Sequence, residues 1–160
     1  MDDALDELAA RVGEALKARK WMLATAESCT GGWVGEAVTA ISGSSQWYDR
    51  GFITYTNLAK QEMLGVSRET LDAHGAVSEE TVREMVQGTL RHSRADVAVA
   101  ISGIAGPTGG TPDKPVGTVC FAWATGNGAL YSEKYLFPGD RREVRQQAVT
   151  MALEGVLALL

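Results

Sequence analysis

The sequence is poor in the residues that build metal sites and cross-links. Its 160 residues include two cysteines and two histidines. Cys29 and Cys120 stand far apart in the chain and form no disulfide framework. They read as reduced thiols of a cytoplasmic protein. So few Cys and His give no zinc-ligand spacing, and no metal or cofactor is expected. No apolar run approaches 18 residues, so no membrane span is expected. The N-terminal stretch MDDALDELAARVGEALKARKW is acidic and amphipathic, without the basic start and apolar core of a signal peptide. A formal net charge of −5 argues against a broad nucleic-acid-binding face and leaves room only for a local basic patch.

What is present suits one soluble α/β domain over residues 1–160. The 45% hydrophobic and 22% charged content is ordinary for such a fold. A chain of this length buries roughly 70% of its unfolded surface. Leu5, Leu8, Val12 and Leu16 recur at helical spacing and predict a first amphipathic helix. Residues 21–26 predict a short apolar strand and 30–40 a helix. Phe52 to Tyr55 predicts a second strand, with Asn57 as N-cap of a helix that Gly65 ends. Ser67 and Ser78 cap two further helices, which end near His74 and His92. A histidine at a helix C-terminus has a structural reason to be there, so neither is favoured as a catalyst. The run DVAVAIS (96–102) predicts a strand buried on both faces. A Gly/Pro loop (103–115) follows. Strands over 116–125 and 130–137, with the turn Gly126-Asn127-Gly128 between them, predict an antiparallel hairpin. A final helix begins after Pro138-Gly139-Asp140. The expected fold is a three-layer α/β/α sandwich on a mixed sheet of about five strands. The apolar end (156–160) and Trp47-Tyr48 suit either core or a homo-oligomer interface, so oligomeric state stays open.

Four segments hold residues capable of chemistry. The first is Thr25-Ala26-Glu27-Ser28-Cys29-Thr30-Gly31-Gly32, between the first strand and the second helix. It offers two nucleophiles, Ser28 and Cys29. Its glycine pair would present free backbone N–H groups to an anion or developing oxyanion. The flanking pattern is not G-x-S-x-G. The second is Tyr55 to Lys60. A lysine in the first turn of a helix opposes the dipole, which favours its neutral amine. With Tyr55 one cap away, it suits a general base for Ser28; a solvated lysine and a core tyrosine are the structural alternative. The third is the loop Gly103-Ile104-Ala105-Gly106-Pro107-Thr108-Gly109-Gly110. It has neither Walker nor dinucleotide spacing, and it serves equally as a wall for a planar ligand or as plain structure. The fourth is Gly139 to Arg145, where three arginines crowd a helix start. Either a bound phosphate or pairing with Asp140 and Glu143 resolves that conflict.

Five stretches carry a resemblance over nearly the whole chain: TAESCTGG (25–32), GFITYTNLAK (51–60), GAVSEET (75–81), SGIAGPTGGTPDKPVGTV (102–119) and FPGDRREVR (137–145). In these the sequence closely resembles the CinA C-terminal domain family, the nicotinamide-nucleotide amidohydrolases. The resemblance implies metal-free hydrolysis of nicotinamide mononucleotide (NMN) to nicotinate mononucleotide and ammonia. It implies Ser28 as nucleophile with Tyr55 and Lys60 as partners. It implies that Thr30, Gly31 and Gly32 line the oxyanion and substrate site. Gly103, Ala105 and Gly106 would touch the nucleotide, and Arg141 and Arg142 would lie near the phosphate, with Arg145 less firmly implied. The family's longer members carry an N-terminal domain linked to pyrophosphatase activity; this chain lacks it, and that activity is not expected. Two rival readings are a catalytically silent nucleotide-binding or regulatory module, and a thiol amidase that uses Cys29.

Overall fold

The computed structural model describes residues 3–160; the first two residues of the acidic N-terminal stretch lie outside it. The elements run α1 (Asp3–Arg19), β1 (Leu23–Glu27), α2 (Trp33–Thr39), β2 (Tyr48–Ile53), α3 (Asn57–Leu64) and α4 (Arg68–His74). They continue with α5 (Glu79–Arg91), β3 (Val97–Gly103), β4 (Thr118–Thr125), β5 (Leu130–Leu136) and α6 (Arg141–Ala158). The strands form one sheet in the order β2-β1-β3-β4-β5. β1 runs parallel to β2 and β3, while β3-β4 and β4-β5 are antiparallel. The expected mixed five-stranded sandwich is what the chain forms. No helix among the described residues is long and apolar enough to cross a membrane.

The two faces of the sheet are built from different residues. Val97, Val99 and Ile101 of β3 and Val119, Phe121 and Trp123 of β4 face α1, α2 and α6. Ala98, Ala100, Cys120, Ala122 and Ala124 alternate with them and face α4 and α5. Period-two alternation thus places bulk on one side and small side chains on the other. The continuous apolar reading of 96–102 follows, because both sides are covered. On the small side α5 packs closely, and it meets the end of α3 through Gly88. A Cβ there would lie 1.9 Å from the Leu64 carbonyl oxygen, so only glycine fits.

Several element ends differ from expectation. β2 begins at Tyr48, not Phe52. Asp49, Arg50 and Gly51 belong to it, because an edge strand tolerates such polar residues on its unpaired flank. It ends at Ile53, so Tyr55 lies beyond the strand in the connection to α3. The cap of α3 is Thr56, whose hydroxyl accepts from the Ala59 N–H at 3.0 Å. Asn57 is the first helical residue and Lys60 the fourth. Ser67 and Ser78 cap α4 and α5 as expected. Trp47 is buried in the core, and Tyr48, Leu157, Leu159 and Leu160 pack against it.

Candidate active site

In α/β folds the crevice at the carboxyl end of the sheet forms where neighbouring strands send their connections in opposite directions. Here β1 leads to β2 on one side, while β3 leads to β4 on the other. Ser28 follows β1 directly and donates its N–H to the Ile101 carbonyl of β3 at 3.0 Å. A cleft of about 350 Å³ opens there, a size suited to a small molecule. Ser28, Cys29, Tyr55, Asn57 and Lys60 line it, opposite Ala76 and Val77. The segment from Ser102 to Gly106, with Thr108, Gly109 and Arg141, closes the remaining side.

Lys60 is 1% exposed, and its Nζ lies 3.0 Å from Ser28 Oγ. It also donates to the Thr54 carbonyl at 2.9 Å. No carboxylate pairs with it among the described residues. Burial holds its pKa below the usual lysine value of 10.5, since little offsets the desolvation of the ammonium. The lysine that the sequence proposed as base therefore does meet the serine hydroxyl. The tyrosine meets neither. Tyr55 is 60% exposed, and its hydroxyl accepts from Arg141 Nη2 at 3.2 Å. Arg141 also donates Nη1 to the Gly106 carbonyl at 2.8 Å, tying the glycine loop to the far wall.

Cys29 lies beside Ser28 but keeps its proton. Burial pushes its thiol up to about 12, outweighing the opposite pull of Arg145 and Lys60. A thiol held neutral is a poor nucleophile. Neither histidine lines the cleft. His74 ends α4, and His92 caps α5 with Nδ1 2.8 Å from the Gly88 carbonyl oxygen. Among the described residues, no group of three or more His, Cys, Asp or Glu could hold a metal ion.

The glycine pair does not offer the free N–H groups that the sequence suggested. Gly31 donates to the Ser28 carbonyl at 3.0 Å. Glu27, 2% exposed at the end of β1, takes the rest. Its Oε1 accepts from Thr30 Oγ1 at 2.6 Å, Gly32 N at 3.2 Å and Val34 N at 2.9 Å, and its Oε2 from Gly35 N at 3.0 Å. This carboxylate caps α2 from outside the helix, because Gly32 has no side chain to do so. The signal for it in the sequence was an acid closing an apolar strand just before an uncapped helix. Ser102 was also missed. It ends the buried part of β3 and lines the same cleft as Ser28.

Thr30, Gly31, Gly32 and Arg142 are not brought to the Ser28 cleft. Thr30 is buried against Glu27. Gly31, Gly32 and Arg142 border a separate groove with Trp33, Glu36, Ile53 and Arg145. The Arg142 guanidinium lies over the Trp33 ring, 5.1 Å from its centre. Arg141 and Arg145, one turn apart, diverge: Arg141 enters the cleft, while Arg145 donates to the Cys29 and Thr30 carbonyls. No phosphate site unites the three arginines. Asp140 and Glu143 do not pair with them either, being joined in the capping box of α6.

Known proteins resemble this chain in sequence and in fold. The model of the CinA C-terminal domain matches residues 5–160. A protein of Escherichia coli (strain K12) named nicotinamide-nucleotide amidohydrolase PncC is 56% identical over 153 residues, covering 96% of this chain and 93% of its own. The protein of that name from Pseudomonas putida is 48% identical over 98% of each chain. The crystal structure of competence/damage inducible protein CihA from Agrobacterium tumefaciens superposes with a TM-score of 0.97 at 46% identity, covering 99% of this chain and 97% of that one.

Proposed function

The chain belongs to the CinA C-terminal domain family, and on that footing we propose that it is a nicotinamide-nucleotide amidohydrolase working through a Ser28–Lys60 pair. The observation that carries the chemistry is the 3.0 Å contact between a buried, unpaired lysine and a serine hydroxyl in a cleft. The names of the full-length relatives supply the substrate class.

In this reading Lys60 works as the neutral amine. One N–H donates to the Thr54 carbonyl, and the lone pair accepts the Ser28 proton as Oγ attacks the carboxamide carbon. The tetrahedral intermediate collapses as Lys60 returns that proton to the departing nitrogen. Ammonia leaves, and nicotinate mononucleotide remains as an ester on Ser28. Water then attacks the ester as Lys60 takes its proton, the C–Oγ bond breaks as Lys60 returns that proton to Ser28 Oγ, and the acid is released. Ser102, which lines the cleft beside Ser28, is the proposed donor to the developing oxyanion. Arg141 is the proposed phosphate ligand. Tyr55, which Arg141 orients, offers its ring and its O–H to the nucleotide. Gly103, Ala105 and Gly106 let the ligand approach the backbone.

The test is ammonia release from NMN by the purified protein, in the presence of a metal chelator. Stoichiometric ammonia and nicotinate mononucleotide are expected. Absence of both across a wide NMN range overturns the reading. Stabilisation by NMN without turnover would instead indicate a binding module.

A further inference from the structure

We infer that Arg145 is a positioning residue, fixing the nucleophile turn from behind rather than holding substrate. It rests on the proposed Ser28 chemistry for its kinetic consequence, but not for its structural one.

Arg145 lies in α6, 116 residues after Cys29. Its Nε donates to the Cys29 carbonyl at 3.0 Å and its Nη2 to the Thr30 carbonyl at 3.2 Å. These carbonyls belong to the second and third peptide planes after Ser28, whose N–H groups are those of Thr30 and Gly31. Each plane is rigid, so pinning its oxygen also fixes the N–H on its opposite edge. The guanidinium is further located by the Trp33 ring, 5.4 Å away. No carboxylate pairs with it among the described residues, so its fork is committed to the turn.

The same atoms keep Arg145 away from the ligand. It borders the groove with Trp33 and Gly31, while the cleft that holds Ser28 is lined by Arg141. Glu27 and Arg145 therefore divide the turn: the carboxylate takes its donors and the guanidinium takes two of its acceptors. The planar fork matters here, because a lysine ammonium reaches two carbonyls with less fixed geometry.

The test compares Arg145→Met and Arg145→Lys with the parent protein in two measurements. The first is hydrogen exchange of the peptide covering residues 28–33, followed by mass spectrometry. Faster exchange is expected in Arg145→Met, with Arg145→Lys intermediate. The second is steady-state kinetics on NMN and on the phosphate-free riboside. A kcat loss of about 10- to 100-fold is expected, equal for both substrates, with KM for NMN within about twofold. A rise in KM confined to NMN would make Arg145 a phosphate ligand and overturn the inference. Unchanged exchange in the 28–33 peptide overturns it as well. If the parent protein fails to hydrolyse NMN, the proposed reaction falls while exchange alone decides on the clamp. If Arg145→Met does not fold, Arg145→Lys carries both measurements.

Discussion

Lys60 Nζ and Ser28 Oγ lie 3.0 Å apart although 32 residues separate them in the chain. With burial lowering the lysine pKa, the pair works best once the ammonium is lost. Activity should therefore rise with pH, with its alkaline midpoint below 10.5. A kcat/KM profile for NMN checks this, and a rate maximum below about pH 6 contradicts it.

The same shift has a stability consequence. Between the depressed folded-state pKa and 10.5, the unfolded chain holds a proton that the folded chain has released. Stability therefore rises with pH across that window, and at lower pH the cost of burying the ammonium remains. Lys60→Met removes the titration. The Tm of the parent minus that of Lys60→Met should grow as pH rises towards 10.5; a constant difference refutes the shift.

Ser28→Ala should reduce kcat by about 10³-fold or more, as removal of a nucleophile does. Cys29→Ala should keep most of the activity, because its thiol stays protonated. The reverse pattern in single-turnover assays would transfer the nucleophile to Cys29.

Much of this was legible in the sequence, and the failures have physical reasons. The unbroken apolar run of β3 and the short Gly126-Asn127-Gly128 turn before β5 marked a doubly covered strand and a hairpin. The caps Ser67 and Ser78 are local, needing only a hydroxyl and a nearby N–H. The partners of Glu27 are almost all backbone groups, which no residue pattern records. The arginines misled because positions four apart on a helix share a face, whereas long side chains at a helix end need not share a target. Arg141, the first residue of α6, reaches out to Gly106 and Tyr55; Arg145, a turn later, reaches back to Cys29 and Thr30. Tyr55 was drawn beside Lys60 because both flank one helix start, but the strand ends at Ile53 and leaves the ring at the surface.

Glu27→Ala should cost about 3 kcal/mol or more, since it strands several buried donors at the start of α2. Glu27→Gln should cost about 1–2 kcal/mol, because its oxygen still accepts while its NH₂ meets another donor. Urea unfolding monitored by tryptophan fluorescence measures both; equal losses would show that the charge is irrelevant.

Arg141→Ala should raise KM for NMN about tenfold or more and leave the riboside less affected. Arg142→Ala, over Trp33 and outside the cleft, should change either KM by less than about twofold. Parallel titrations of the two substrates separate these outcomes.

The alanine-lined face of the sheet and Gly88 together act as a spacer. They set the depth at which α5 rests, and through Leu64 the height of α3, which carries Lys60 one turn earlier. The reach of Lys60 is thus gauged by side chains that line no part of the cleft. Adding a single methyl at Gly88, or to one of those alanines, would detune the Ser28–Lys60 contact from a distance, as a shim changes the alignment of a bearing.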